Sequence, residues 1–247
     1  MPNGPASFLI LVDTSGSTMP KRSQTRAAIG EIVESLDPRD DVSLFAFSGR
    51  PFRLQPFTRD HAAILKQEDL LHSYGPTSLY DSMMVAADYL RDGCYPKRIL
   101  VVISDGMDNT STHLPEDATG AIRSNGVTVY AIAIGDLDVP VGAGVHYLAL
   151  FGSGQEPYSA NEKSLAQFTQ PAGGSTFLIS PTGDADLLAA TVKSIVEGSR
   201  GEYVIGFIDA TKIDPSTIKV EVKNHDGVVT QPSRRQVLTD ESGGTSS

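Results

Sequence analysis

Two uninterrupted apolar runs constrain the fold of this chain more than any other feature. Residues 8–12 and residues 99–103 are each five apolar side chains long, and an aspartate follows within two residues of each run. Strands that lack polar alternation are buried on both faces, which is typical of parallel sheets covered by helices. We therefore predict an α/β fold with a doubly wound, mostly parallel sheet.

Similar patterns predict alternating strands and helices along most of the chain. Strands are expected near 7–13, 41–47, 98–104, 127–134 and 175–179, with a short edge strand near 52–57. Helices are expected near 21–36, 60–71, 79–92, 115–125, 161–170 and 183–198. Such an alternation builds a sheet with helices on both faces.

Oxygen-bearing side chains gather where the two apolar runs end. Asp13, Ser15 and Ser17 follow the first run, Asp105 follows the second, and Thr77 lies in a loop before a predicted helix. In an open parallel sheet, the loops at the carboxyl ends of the strands form the binding crevice. We expect these five side chains to converge there. Hard oxygen donors of this kind suit Mg²⁺ or a similar divalent ion.

Three segments in this order resemble the metal-ion-dependent adhesion site (MIDAS) of von Willebrand factor type A domains. They are Asp13-Thr14-Ser15-Gly16-Ser17, Gly75-Pro76-Thr77-Ser78-Leu79-Tyr80-Asp81 and Ser104-Asp105-Gly106. The resemblance implies that Mg²⁺, or Mn²⁺ or Ca²⁺ in its place, is held by the hydroxyls of Ser15, Ser17 and Thr77. It also implies that Asp13 and Asp105 act mainly through water, orienting it and neutralising charge.

The resemblance also implies a function. Neutral hydroxyl ligands leave the ion electron-poor, so an open coordination position attracts a carboxylate, and related domains bind adhesive ligands in this way. We therefore expect a non-enzymatic module that captures an acidic side chain of a protein partner. The alternative is a Mg²⁺-assisted hydrolase with Asp13 as nucleophile, for which Lys21 and Arg22 are the nearest phosphate-binding cations. Because cations oppose the dipole at the start of a helix, we interpret both as surface charges.

Other polar residues in these loops have simpler interpretations. Asp108 and Asn109 are predicted to be turn residues, and Asp81 is predicted to support the first turn of its helix, where negative charge is favoured. Alanine at Asp13 or Asp105 is expected to weaken ion binding and to leave the fold intact, because either change relieves repulsion between the carboxylates.

Composition excludes several function classes. The 247-residue chain has a net charge of −10 and lacks a basic cluster, which argues against nucleic acid as a partner. No segment approaches the roughly 20 apolar residues of a membrane span. The single Cys94 excludes an internal disulfide and is expected to pack as a small hydrophobe. An extracellular or cell-envelope location, with a signal outside these residues, is favoured over the cytoplasm, which stays open.

Two stretches fall outside the minimal α/β domain. Residues 136–160 form a long connection that either contacts a partner or is a packed or disordered insertion. Residues 200–238 show the apolar and polar alternation of half-buried strands, and Arg200, Tyr203, Gly206 and Phe207 resemble a pattern in bacterial exported von Willebrand factor A-like proteins. We therefore divide the chain into an α/β domain (1–199), a β-rich extension (200–238) and a disordered tail (239–247).

Overall fold

Six strands form one sheet at the centre of the protein. The computed structural model describes residues 4–67, 70–72, 74–135, 161–180 and 185–201. The strands are β1 (Ser7–Asp13), β2 (Asp41–Phe47), β3 (Pro51–Thr58), β4 (Arg98–Ser104), β5 (Val127–Ile134) and β6 (Thr176–Ile179). Their order is β3-β2-β1-β4-β5-β6, and only β3 runs antiparallel to its neighbour. The predicted mostly parallel sheet is confirmed.

Helices cover both faces of this sheet. They are α1 (Arg22–Ser35), α2 (Ala62–Leu65), α3 (Leu79–Tyr89), α4 (Pro115–Ser124), α5 (Glu162–Thr169) and α6 (Ala185–Gly201). A 3-10 helix, Gly16–Lys21, precedes α1, and another, Leu90–Asp92, extends α3. The core on one face contains residues of α1 and α6, whereas the core on the other contains residues of α3, α4 and α5.

Strand β1 explains why the two cores are separate. Its even-numbered residues, such as Phe8 and Ile10, belong to the core under α1 and α6, and Leu9 and Leu11 belong to the opposite core. Successive side chains of a strand point to opposite faces, so an unbroken apolar run fills both cores. Every residue of β1 is accordingly buried.

Three expectations from the sequence need correction. The helix expected over 60–71 is a single turn, Ala62–Leu65, after which Gln67 N donates to Ile64 O in a tighter i to i−3 bond. Cys94 is exposed and is not packed, although its backbone N–H donates to the Asp41 carboxylate. The last helix extends to Gly201, so it includes Arg200, which we had assigned to the β-rich extension.

The carboxyl end of α6 contacts residues at the amino-terminal ends of the parallel strands, which lie opposite the candidate site. The guanidinium of Arg200 forms two hydrogen bonds with the fully buried carboxylate of Asp40, which also accepts from Ala6 N at 2.8 Å. Nearby, Lys97 Nζ donates to the carbonyl of Ser199 at 2.7 Å. A cation at the carboxyl end of a helix is favourable, because it faces the negative end of the helix dipole.

Several expectations concern residues that lie outside the described part of the chain. These are the connection at 136–160, the strands expected after Gly201 and the tail at 239–247. Among the described helices, none combines the length and the apolar character needed to cross a membrane.

Candidate metal centre

The candidate site lies where β1 and β4 end side by side. From these adjacent strands the chain continues into helices on opposite faces of the sheet, α1 after β1 and α4 after β4. Where neighbouring parallel strands connect to helices on opposite faces of the sheet, a crevice opens at the carboxyl ends of the strands. Ser104 Oγ donates to Asp13 Oδ2 at 2.7 Å across this point. The ends of the two apolar runs are therefore in direct contact.

The turn after β1 holds three of the predicted donors together. Ser15 N donates to Asp13 Oδ1 at 2.8 Å, and the hydroxyls of Ser15 and Ser17 lie 3.1 Å apart. Thr18 Oγ1 donates to the carbonyls of Asp13 and Ser15, and these contacts stabilise the turn. In the described structure the Ser15 hydroxyl does not cap the 3-10 helix that follows, so it is not committed to a capping role.

The turn after β4 brings Asp105 to the same crevice. Met107 N donates to Asp105 Oδ1 at 3.1 Å, and Gly106 N donates to Ser104 Oγ at 3.0 Å. Gly106 has a φ of 77°, and a Cβ there would lie 2.4 Å from Asn161 O, at the start of α5. Only glycine fits both this conformation and this close approach.

Thr77 joins the site through its backbone. Gly16 N donates to Gly75 O at 3.1 Å, which connects the loop of Thr77 to the turn after β1. On its other side, Thr77 N donates to Asn109 Oδ1 at 2.8 Å, and Asn109 N donates back to Thr77 O at 3.0 Å. The Thr77 loop therefore contacts both the turn after β1 and the loop after β4.

Lys21 is the residue that the sequence analysis misjudged. It is buried and is not a surface charge: its Nζ lies 3.2 Å from Asp105 Oδ2, and the side chain is 3% exposed. Arg22, by contrast, is half-buried and donates to the carbonyl of Leu71. The ammonium of Lys21 tolerates its unfavourable position at the start of α1 because a buried carboxylate faces it.

The neighbouring polar residues support the loops. Asp108 Oδ2 accepts from Tyr80 N at 3.2 Å and so serves the first turn of α3. Asp81, also in that turn, accepts from the backbone of Thr112 and His113, and these bonds hold its pKa below the usual range despite partial burial. Asp108 also accepts from Ser111 N in its own turn, as predicted, whereas these bonds of Asp81 support the loop before α4 and not the first turn of α3, the role predicted for it.

The chemistry of the donors fits a hard divalent cation. The hydroxyls and carboxylates of Ser15, Ser17, Thr77, Asp13 and Asp105 supply oxygen only, as Mg²⁺ and Ca²⁺ prefer. Within the described ranges no three His, Cys, Asp or Glu side chains form a metal-binding group. The site has two carboxylates, so an ion here would rely on hydroxyls and water for its remaining ligands. A carboxylate oxygen can accept more than one hydrogen bond, so the protein donors to Asp13 and Asp105 do not exclude water or an ion.

Burial dominates the electrostatics of Asp13. Asp13 and Asp105 are each 2% exposed. Loss of solvation, together with the neighbouring charge of Asp105, outweighs the hydrogen bonds from Ser104 and Ser15, and the net effect raises the pKa of Asp13 to about 6. An ion between the two carboxylates would remove this repulsion.

We predict that the metal-free protein becomes more stable as the pH falls from 8 toward 5. The pKa of Asp13 is higher in the folded protein than its ordinary value of 3.8, so folding favours the protonated form, and this stabilisation is lost as the pH rises through about 6. Between pH 8 and pH 5, the contribution of Asp13 to the free energy of unfolding should rise by about 1–2 kcal/mol. Denaturant titrations in chelator measure it, and Asp13→Asn should reduce the pH dependence. An equal pH dependence in the variant would contradict the assignment.

Comparisons with known proteins show which family this chain resembles in sequence. Residues 8–107 match the model of the von Willebrand factor type A domain. Inter-alpha-trypsin inhibitor heavy chain H4 of Sus scrofa is 27% identical over 113 residues, which cover 41% of this chain but only 12% of that protein.

Solved structures extend the similarity of fold over most of the chain. A von Willebrand factor type A protein from Catenulispora acidiphila has a TM-score of 0.62 and 17% identity, covering 81% of this chain and 44% of that one. Proximal thread matrix protein 1 from the mussel byssus, solved with a zinc-occupied MIDAS motif, has a TM-score of 0.54 and 18% identity over 81% of this chain and 46% of that one. The described part of the chain therefore has the fold of a von Willebrand factor type A domain, a family whose model it matches over residues 8–107.

Proposed function

We propose that this chain is a non-enzymatic module that binds a protein partner through a divalent cation. Domains of this family commonly mediate protein–protein interaction. Ser15, Ser17 and Thr77 would hold Mg²⁺, or Mn²⁺ or Ca²⁺, while Asp13 and Asp105 would act mainly through water. The observation that carries the proposal is the arrangement of burial: four of these residues are buried, and only Ser17 is exposed. An ion beside Ser17 would therefore have its remaining coordination position toward solvent, where a carboxylate of the partner could bind.

Large apolar side chains next to the site support a protein partner. Met19, Tyr74 and Met107 are 58%, 65% and 47% exposed. Each belongs to one of the three site loops: Met19 follows Ser17, Tyr74 N donates to Thr14 O, and Met107 follows Gly106. Exposed Met and Tyr side chains are enriched in surfaces that bind other proteins. The partner would thus offer an Asp or Glu with apolar neighbours.

The alternative function is Mg²⁺-assisted hydrolysis with Asp13 as nucleophile. A nucleophile must reach its substrate, yet both Asp13 oxygens accept protein hydrogen bonds and the side chain is buried. Lys21, one of the two candidate phosphate-binding cations, faces Asp105 inside the protein. These contacts favour the binding module, and the family is generally non-enzymatic.

Acetate and acetamide provide a matched pair of probes for this function. With protein in excess over Mn²⁺, the bound ion should broaden the methyl proton resonance of acetate much more than that of acetamide, because only acetate carries the charge that the ion attracts. Chelator should remove the difference. Equal broadening of the two probes would contradict carboxylate capture. Metal-dependent hydrolysis of p-nitrophenyl phosphate that is lost in Asp13→Ala would favour the hydrolase.

We also propose that the β-rich extension (200–238) and the disordered tail (239–247) follow the α/β domain (1–199). The resemblance of the extension to bacterial exported proteins is its support. Arg200 lies in α6, so the extension would begin directly after that helix.

A further inference from the structure

Lys21 places a fixed positive charge inside the candidate metal centre. Its Nζ lies 3.2 Å from Asp105 Oδ2, and both side chains are almost completely buried. Asp13, Lys21, Ser104 and Asp105 lie close together at the carboxyl ends of β1 and β4. The backbone of Lys21 is bonded to α1 as well, because Thr25 Oγ1 donates to Lys21 O at 3.1 Å.

Stability alone does not account for a lysine at this position. A buried ion pair generally contributes little more to stability than apolar side chains of similar size, because both charges lose their hydration. In addition, a cation at the start of α1 faces the positive end of the helix dipole. What Lys21 changes strongly is the charge of the site.

The charge of Lys21 changes the net charge of the site both with and without a bound ion. Two ionised carboxylates and one ammonium leave the metal-free site with one net negative charge, and a divalent ion converts this to one net positive charge. Were residue 21 neutral, the same two carboxylates would cancel the ion completely. Without the lysine charge, the empty site would carry two net negative charges and attract a cation more strongly. The loaded site would be neutral and would attract an anion less strongly, since charges in a buried site are weakly screened.

We propose that Lys21 keeps the metal-loaded site positively charged, and so determines its selectivity for an anionic group of the partner while lowering its affinity for the ion. This inference rests on the proposed function, because it concerns how the same ion attracts a carboxylate. Lys21 acts here as a specificity-determining residue that does not itself bind the ion.

Charge-removing and charge-keeping variants of Lys21 test the inference. Lys21→Gln removes the charge and retains a hydrogen-bond donor for Asp105, Lys21→Met removes both, and Lys21→Arg retains the charge. Lys97→Met is the matched control, because Lys97 is also a buried lysine but lies at the other end of β4, more than about 20 Å away. Calorimetry gives the Mn²⁺ affinity, and broadening of the acetate resonance gives the carboxylate affinity of the Mn²⁺-saturated protein.

The two affinities should change in opposite directions. In Lys21→Gln we expect Mn²⁺ to bind at least about fivefold more tightly and acetate at least about fivefold more weakly, since one nearby charge is removed. Lys21→Met should behave in the same way, whereas Lys21→Arg and Lys97→Met should keep both affinities near those of the unchanged protein. Mn²⁺ should also raise the melting temperature of Lys21→Gln by more than it raises that of the unchanged protein.

Other outcomes separate the failure of this inference from the failure of the proposed function. If both affinities fall together in Lys21→Gln and Lys21→Met, Lys21 only supports the fold of the site and the inference is wrong. Unchanged affinities in both variants would equally overturn it. If the unchanged protein binds Mn²⁺ but not acetate, the proposed function itself fails.

Discussion

Replacing Asp105 by alanine is expected to weaken Mg²⁺ binding by about 10- to 100-fold, the usual effect of removing a group that orients the ligands of a metal. The same change should destabilise the metal-free protein by about 3–5 kcal/mol, because it leaves the buried ammonium of Lys21 without its carboxylate. Calorimetric titration and denaturant unfolding in chelator measure the two effects. The sequence alone suggested that the fold would be unaffected, and the Lys21 contact changes that expectation.

Asp13→Asn is the comparison that separates these effects. It should weaken Mg²⁺ binding to a similar extent, yet it should not lower the stability of the metal-free protein at pH 7, because it removes a charge that burial and Asp105 disfavour. The amide can still accept from Ser15 N and bond with Ser104. Unchanged Mg²⁺ affinity in both Asp105→Ala and Asp13→Asn would rule out the metal assignment.

Arg200→Ala is expected to destabilise the protein by about 3–5 kcal/mol, because it leaves a buried carboxylate unpaired. Asp40 is fully buried, and its carboxylate also accepts from the neutral backbone donors Ala6 N and Asp37 N, so Arg200 supplies the charge that faces it. Since Arg200 is near the end of α6, its loss should also weaken the contact between this helix and the start of β2. Denaturant unfolding measures the change.

The exposed pair of Arg39 and Asp37 is the control for this prediction. Arg39 Nη2 lies 2.8 Å from Asp37 Oδ2, but the arginine side chain is largely in solvent. Exposed ion pairs contribute little to stability, because solvent screens both charges. Arg39→Ala should therefore have a small effect. If Arg200→Ala costs no more than Arg39→Ala, the contact between α6 and Asp40 does not stabilise the fold.

The sequence predicted the sheet well because its central strands are buried on both faces. The runs at 8–12 and 99–103 have no polar residue, so burial and local pattern indicate the same structure, and β1 and β4 are found at the expected positions. The helix expected over 60–71 shows the limit of such reasoning. The apolar residues Ala62–Leu65 do form a helix, but it is only one turn long.

Lys21 was misjudged because its partner is 84 residues away in the chain. Local rules gave only the unfavourable position of a cation at the start of a helix. A usable signal was present nonetheless, because Lys21 precedes Thr25 by four residues and Ile32 by eleven, and both lie on the buried face of α1. A lysine in register with an apolar helix face requires an internal partner, and Asp105 supplies it.

The position of a bound Mn²⁺ ion is the most direct test of the metal assignment. Crystals grown with Mn²⁺ and measured at a wavelength where manganese scatters anomalously would give the position of the ion without reference to its ligands. We expect one strong peak within about 2.3 Å of the Ser15 and Ser17 hydroxyls, with Asp13 and Asp105 contacting it mainly through water. A peak elsewhere, or no peak in this crevice at saturating Mn²⁺, would contradict the assignment.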